Sequence, residues 1–334
     1  MARDFLMAID AGGGGGHCLL VDARTGASTR AFRRWHHASA PGTGGLGTDL
    51  DLAVLWRCIG EAAREVRERA GAGAEEVCGV AATGMRHTTI ALDAAGEPIL
   101  AAANRDARAV GEALELAAQR GHELHSRTGQ WPSPLASAAR LRWLRTARPE
   151  AWSRVAVVIA LSDWIASRLC GVVATDASQA SSTMLLDVAR RDWATDLAES
   201  LGGGVQRLPE IRPSGSPLGR LTADAAAHLG LRAGTPVAVG GGDTPCALLG
   251  VGTVGAGRAA LVAGTTAPVV MTAAGAQIDS ARRLWTGCHL VPGIWMLEGN
   301  AGLMGETLEW LARSLHPASP RPVARFLAEA ARVA

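Results

Sequence analysis

Two aspartates in this 334-residue chain stand where a carboxylate could do chemistry. Asp243 lies in Val237–Gly252, VAVGGGDTPCALLGVG, where an apolar run ends in three glycines before the acid. A carboxylate at the end of a buried strand is costly unless it is paired, hydrogen-bonded or working. An all-glycine approach also leaves no side chains between it and a substrate. The same residues read equally as a helix start, because Asp before Thr-Pro makes a good cap. Asp10 closes a second apolar run and is followed by the glycine run Gly12–Gly16. A further glycine turn, Gly264-Thr265-Thr266-Ala267, lies beyond Asp243. Glycine turns between strands present backbone N–H groups to anions. A carboxylate beside such a turn suits Mg²⁺, which prefers oxygen ligands and keeps several waters. The pattern is that of phosphoryl transfer. Gly12, Gly13 and Gly14 in one lobe and Gly264, Thr265 and Thr266 in the other would hold nucleotide phosphates. Asp10 would face the metal and Asp243 the acceptor hydroxyl.

The elements that must position these groups are legible from periodicity and turns. Phe5–Asp10 and His17–Asp22 read as strands joined by the glycine run, a hairpin and not the strand-to-helix junction of a dinucleotide fold. Asp49 to about Ala70 reads as a helix with Leu52, Leu55, Cys58, Ile59 and Ala62 on one face. Glu76–Thr83 is a buried strand, and His87–Leu92 with Glu97–Ala102 flank a turn. Helices are expected over Ala107–Gln119 and Ser133–Arg145. A strand is expected at Val155–Leu161, with Ser162 capping a helix over Asp163–Leu169. Short helices follow at Ala194–Leu201 and Thr222–Leu229. Beyond Gly252 come strands at Arg258–Ala263 and Ala267–Thr272, a hairpin of Trp285–Val291 with Ile294–Glu298, and helices at Gly302–Ser314 and Pro320–Val333. Trp143, Trp193 and Trp310 sit at helical spacing from leucines and are expected in the core. The organisation is mixed α/β in two parts, 1–252 and 253–334, with the break near Gly250–Gly257.

Composition removes several classes. All 33 basic residues are arginine, so Schiff-base, pyridoxal-phosphate and P-loop lysines are excluded. A net charge of +2 points to neither nucleic acid nor an anionic membrane. Six cysteines without a CxxC pair argue against a zinc ribbon and for a reduced, cytoplasmic protein. No secretory signal and no membrane-length apolar stretch is apparent. Gly42–Gly47 is a formal GxGxxG, but no strand precedes it and it reads as a surface loop. His122 and His125 read as an exposed helix end.

Motifs in order along nearly the whole chain resemble the FGGY carbohydrate kinases. These are Asp10-Ala-Gly12 with Asp22, Gly84-Met85-Arg86-His87, Asn104-Arg-Asp106-Ala-Arg108-Ala, Thr128-Gly129 with Pro134 and Trp143, Ser162-Asp163-Trp164, Leu169-Cys-Gly171, Thr175-Asp176-Ala-Ser178-Gln-Ala180-Ser181, Gly241-Gly242-Asp243 and Gly264-Thr265-Thr266. Within the family the chain looks most like the autoinducer-2 kinase branch, with xylulokinases and glycerol kinases more distant. The resemblance implies an actin/hexokinase/Hsp70-like (ribonuclease H-like) duplicated fold and ATP-dependent phosphorylation of a sugar or polyol with Mg²⁺. It implies Asp243 as the base and Arg86, His87, Asn104, Asp106 and Arg108 as holders of sugar hydroxyls. The oligomeric state is open, a homodimer included.

The resemblance has departures. Gly13, Gly15 and His17 stand where the family carries hydroxyl residues and then Arg or Lys, which weakens the grip on phosphate. The family's adenosine-binding segment has no counterpart before residue 334, so the second domain is expected to be incomplete, with apolar surface uncovered near Gly302–Ser314 and poor turnover of ATP. Two other readings stand beside the kinase: an inactive sugar-binding relative, and a dinucleotide-binding oxidoreductase, against which the strand after Gly16 argues.

Overall fold

A computed structural model describes residues 4–262 and 266–332. β1 (Phe5–Ala11) and β2 (Gly15–Asp22) pair antiparallel with Asp10 opposite His17, and β3 (Ser28–Arg34) continues the meander. Phe5, Met7, Ile9 and Ala11 are buried in alternation along β1, the period-two signature of a strand with one face in the core. α1 (Leu52–Ala70) lies against this meander, burying Leu55, Ile59, Ala62, Ala63 and Val66. Asp51 caps its start by accepting the Val54 N–H, and Gly71 ends it in the left-handed conformation.

β4 (Val77–Gly84) runs parallel to β1. β5 (Thr89–Leu92) and β6 (Pro98–Ala102) form a hairpin. α2 (Val110–Thr128), α3 (Ser137–Ala147), β7 (Val157–Ile159), α4 (Leu161–Cys170) and the single turn α5 (Ala177–Ala180) follow. β8 (Pro217–Arg220), α6 (Ala223–Leu229) and β9 (Pro236–Gly242) lead into α7 (Asp243–Gly250). The main sheet has the order β8-β9-β4-β1-β2-β3. A second sheet joins Ala38–Ser39, Thr48–Asp49, β6, β5 and β7 in that order. The rest is an antiparallel sheet of β10 (Ala259–Leu261), β11 (Thr266–Ala273), β12 (Trp285–Cys288) and β13 (Trp295–Leu303), followed by α8 (Met304–Leu315) and α9 (Pro322–Ala330).

Several local expectations change. α2 runs to Thr128, where Gly129 ends it in the left-handed conformation, so His125 is buried and not at an exposed end. Ser162 does not cap α4. Ala160 holds the cap position, and its N–H donates to Asp163 Oδ2 at 3.1 Å. The helix expected over 194–201 is one turn, Thr195–Leu197, continued as a π turn. Trp310 is 67% exposed and not in the core. Leu261, Val269, Met271, Leu315 and Leu327 are exposed with it. Among the described residues no helix is long and apolar enough to cross a membrane.

Candidate active site

The strand order brings the two aspartates together. β4 lies between β1 and β9 and runs parallel to both, with Asp10 and Gly241 each aligned on Thr83. Asp10 therefore closes β1, Arg86 and His87 follow the end of β4, and Asp243 follows the end of β9, all at the carboxyl ends of these parallel strands. The carboxylates sense one another. Burial, and then the negative charge of Asp243, hold the Asp10 carboxyl above its ordinary range, with His17 pulling the other way.

The three glycines before Asp243 have a different reason from the open approach read in the sequence. A Cβ on Gly240 would lie 1.7 Å from the Ala82 carbonyl oxygen, on Gly241 2.3 Å from Leu290, and on Gly242 2.8 Å from Arg86. Close packing against β4 and Arg86 demands glycine here. The turn is then fixed by hydrogen bonds. Gly242 N–H donates to Ser178 Oγ (3.0 Å), and Thr83 Oγ1 donates to the Gly241 carbonyl (2.8 Å). Asp176 anchors α5 by accepting the N–H groups of Ser178 and Gln179, and Gln179 Nε2 donates to the Gly84 carbonyl and to Ser162 Oγ.

Asp243 is the first residue of α7, with its side chain 40% exposed. Thr244 N–H donates to its Oδ1 (2.7 Å), and Arg86 Nε lies 3.6 Å from the same oxygen. Arg86 otherwise faces Glu298 of β13, at 3.0 and 2.8 Å. Burial pushes the Glu298 carboxyl up, but the charge and hydrogen bond of Arg86 outweigh it and leave it below its ordinary range. Burial and then the Arg86 charge push the His87 imidazole down to about 3, so it is neutral. Its ring nitrogens are shut from solvent, with the Ser182 backbone beside them. Its backbone is strained at φ 60°, and Trp285 packs on the ring edge at 5.2 Å.

The glycine hairpin is closed by Gly12 N–H to the Gly15 carbonyl, and Trp35 Nε1 donates to the Gly12 carbonyl. None of the five glycines adopts positive φ. Gly13 and Gly14 form an exposed tip, while Gly15 and Gly16 lie under Phe32 and Trp35. Asn104 Oδ1 would stand 4.0 Å from a Cβ on Gly13, so the Asn104 segment borders this tip. Of the second glycine turn, Gly264 and Thr265 lie outside the described residues, and Thr266 opens β11.

Two of the candidates are enclosed in ion pairs. Asp106 is fully buried and accepts from Thr48 N–H (2.6 Å) and Arg108 Nε (2.7 Å), with Arg140 beside it. Arg108, 3% exposed, is held by Asp106 and Asp49 and lies over Trp143. Their charges face each other inside the protein. Two residues were not read as functional from sequence. Buried Arg140 donates to the carbonyls of His87, Ala103 and Asp106, tying both candidate segments together. Glu298 was legible only as a lone acid in an apolar strand. Among the described residues no cluster of three or more His, Cys, Asp or Glu could hold a metal. A lone half-buried carboxylate such as Asp10, repelled by a second, fits a Mg²⁺ held mainly by water and phosphate oxygens.

A meander followed by parallel strands, with acids at the carboxyl ends of those strands, fits the actin/hexokinase-like class, and solved structures agree. The chain superposes on xylulose kinase from Rhodospirillum rubrum with a TM-score of 0.86 and 27% identity, covering 97% of this chain and 66% of that one. Glycerol kinase from Plasmodium falciparum with ADP shares the fold (TM-score 0.84, 19% identity, 95% and 65% covered). Residues 5–250 match the N-terminal domain of the FGGY family of carbohydrate kinases, and the chain belongs to that family. An autoinducer-2 kinase from Yersinia pseudotuberculosis is 33% identical over 311 residues, which are 92% of this chain and 58% of that relative. The chain thus spans little more than half the length of such curated relatives.

Proposed function

We propose that this chain carries the acceptor site of an ATP-dependent carbohydrate kinase acting on a hydroxyl of a sugar or sugar-like polyol in the cytoplasm. The observation that carries the reading is the convergence of Asp10, Arg86, His87 and Asp243 at the ends of three adjacent parallel strands. Asp243 accepts the proton of the acceptor hydroxyl as that oxygen attacks the γ-phosphorus. The bond to the bridging oxygen breaks and ADP leaves. Catalysis of this kind is mostly positioning and charge stabilisation. Asn104 faces the acceptor, Arg86 and His87 form the wall of the site behind Asp243, and Asp106 and Arg108 brace the Asn104 segment. Gly13 and Gly14, with Gly264, Thr265 and Thr266, hold the phosphates through backbone N–H groups and the threonine hydroxyls, while the Gly12 N–H closes the hairpin that presents them. Asp10 would face Mg²⁺, and the cation bound with ATP would offset the negative charge of the transferred phosphoryl group. Residues 1–252 form the acceptor domain and 253–334 part of the nucleotide domain.

The Gly13–Gly14 tip favours a second reading, a sugar-binding relative without turnover, because it offers phosphate no side-chain donor. One experiment separates them: ADP release with ATP, Mg²⁺ and a panel of D-xylulose, glycerol, gluconate and short vicinal diols, with ³¹P NMR of the product. Acceptor-dependent ADP and a new phosphomonoester support the kinase. Acceptor binding without either supports the second reading.

A further inference from the structure

Arg86 has two carboxylates within reach, and the way it divides between them is specific. Its Nη2 donates to Glu298 Oε1 at 3.0 Å and its Nη1 lies 2.8 Å from Oε2, a two-pronged pairing. Nη2 is shared with Thr244 Oγ1 (3.1 Å). Only Nε is left for Asp243, at 3.6 Å from Oδ1. Every hydrogen bond to Asp243 from the described residues falls on Oδ1, and Oδ2 takes none. The two partners differ in burial: the Glu298 side chain is 4% exposed and that of Asp243 40%.

An arginine with a free fork beside a carboxylate engages both of its oxygens. Were Glu298 absent, the Arg86 fork would turn onto Asp243 and occupy Oδ2 as well. Glu298 therefore determines which edge of Arg86 Asp243 meets. The same hairpin reaches the next residue. Trp285 of β12 is the cross-strand partner of Glu298 on β13 and packs on the edge of His87. Opposed residues of an antiparallel pair project from the same face, so one face of the C-terminal sheet grips Arg86 and His87 together.

We infer that Glu298 is a positioning residue that holds the Arg86 fork away from Asp243 and keeps Asp243 Oδ2 free for the acceptor. The functional half of this rests on the reading of Asp243 as the base; the contact itself does not. The test uses the whole chain labelled with ¹⁵N-arginine, with the Arg86 guanidinium signals assigned by their loss in Arg86→Lys. A two-pronged pair slows rotation of the guanidinium, so Arg86 gives resolved Nη signals in the native chain. These signals persist in Asp243→Asn and collapse or move in Glu298→Gln. Signals unmoved in Glu298→Gln, or lost in Asp243→Asn, overturn the inference. Should Glu298→Gln fail to fold, Glu298→Ala is required to show the same displacement. A second arm measures by calorimetry the polyol of the panel that binds best. Affinity falls at least tenfold in Glu298→Gln and recovers in part in Glu298→Asp; unchanged affinity in a folded Glu298→Gln overturns the positioning role. If no polyol binds the native chain, the kinase reading fails while the arginine spectra still decide the contact.

Discussion

Asp163 ties stability to pH in a direction opposite to that of most carboxylates. It is buried at the start of α4, where it accepts the Ala160 N–H (3.1 Å) and the Ser162 hydroxyl (3.3 Å). Burial drives its pKa from the ordinary 3.8 up to about 7, against the pull of hydrogen bonds from Ala160, Thr175 and Ser162. Between those values the folded chain keeps a proton that the unfolded chain has released. Stability from this group is therefore fully present below about pH 4 and is lost as pH rises through 7. At ~1.4 kcal/mol per tenfold, the whole span is worth roughly 4 kcal/mol. Asp163→Asn removes the titration while keeping the shape. Urea unfolding of both proteins from pH 4.5 to 8 measures the difference directly. The stability of Asp163→Asn relative to the native chain should improve by about 3 kcal/mol across that range. Parallel stability curves would mean that Asp163 is ionised throughout, and the burial argument would be wrong.

The glycines yield two further predictions. A Cβ at Gly13 has open room, whereas at Gly15 it would lie 2.4 Å from the Phe32 ring and 2.5 Å from the Arg33 carbonyl oxygen. Gly13→Ser should fold normally and, by restoring a hydroxyl donor, tighten binding of a fluorescent ATP analogue by roughly tenfold; Gly15→Ala should lose about 1–3 kcal/mol in denaturant unfolding. Gly240→Ala forces a methyl into the Ala82 backbone and should lose more than about 3 kcal/mol or fail to fold, while Gly275→Ala, with nothing within 4 Å, stays within about 0.5 kcal/mol.

What was legible in the sequence was local. An apolar run broken by glycines fixed the β1–β2 hairpin and singled out Asp10, and a lone acid after glycines singled out Asp243. Their meeting depends on β4 lying between β1 and β9, which order along the chain does not reveal. Asp106 and Arg108 show the limit of spacing: an Asp-x-Arg pair reads the same whether it faces a ligand or itself. Here Arg140 and Trp143, from α3, enclose it. The glycines of 240–242 were assigned the wrong reason because the Ala82 carbonyl and the Arg86 side chain that crowd them come from distant sequence. Glu298 was unreadable as functional for the same reason, since its partner lies 212 positions away.

The central claim, that Arg86, His87 and Asp243 form one acceptor site beside Asp10, is tested most directly by calorimetry of the polyol panel on the native chain and on Asp243→Ala, with surface Asp196→Ala as the control. One polyol should bind the native chain and the control alike and bind Asp243→Ala at least tenfold more weakly. Binding indifferent to Asp243, or no binding at all, contradicts the account.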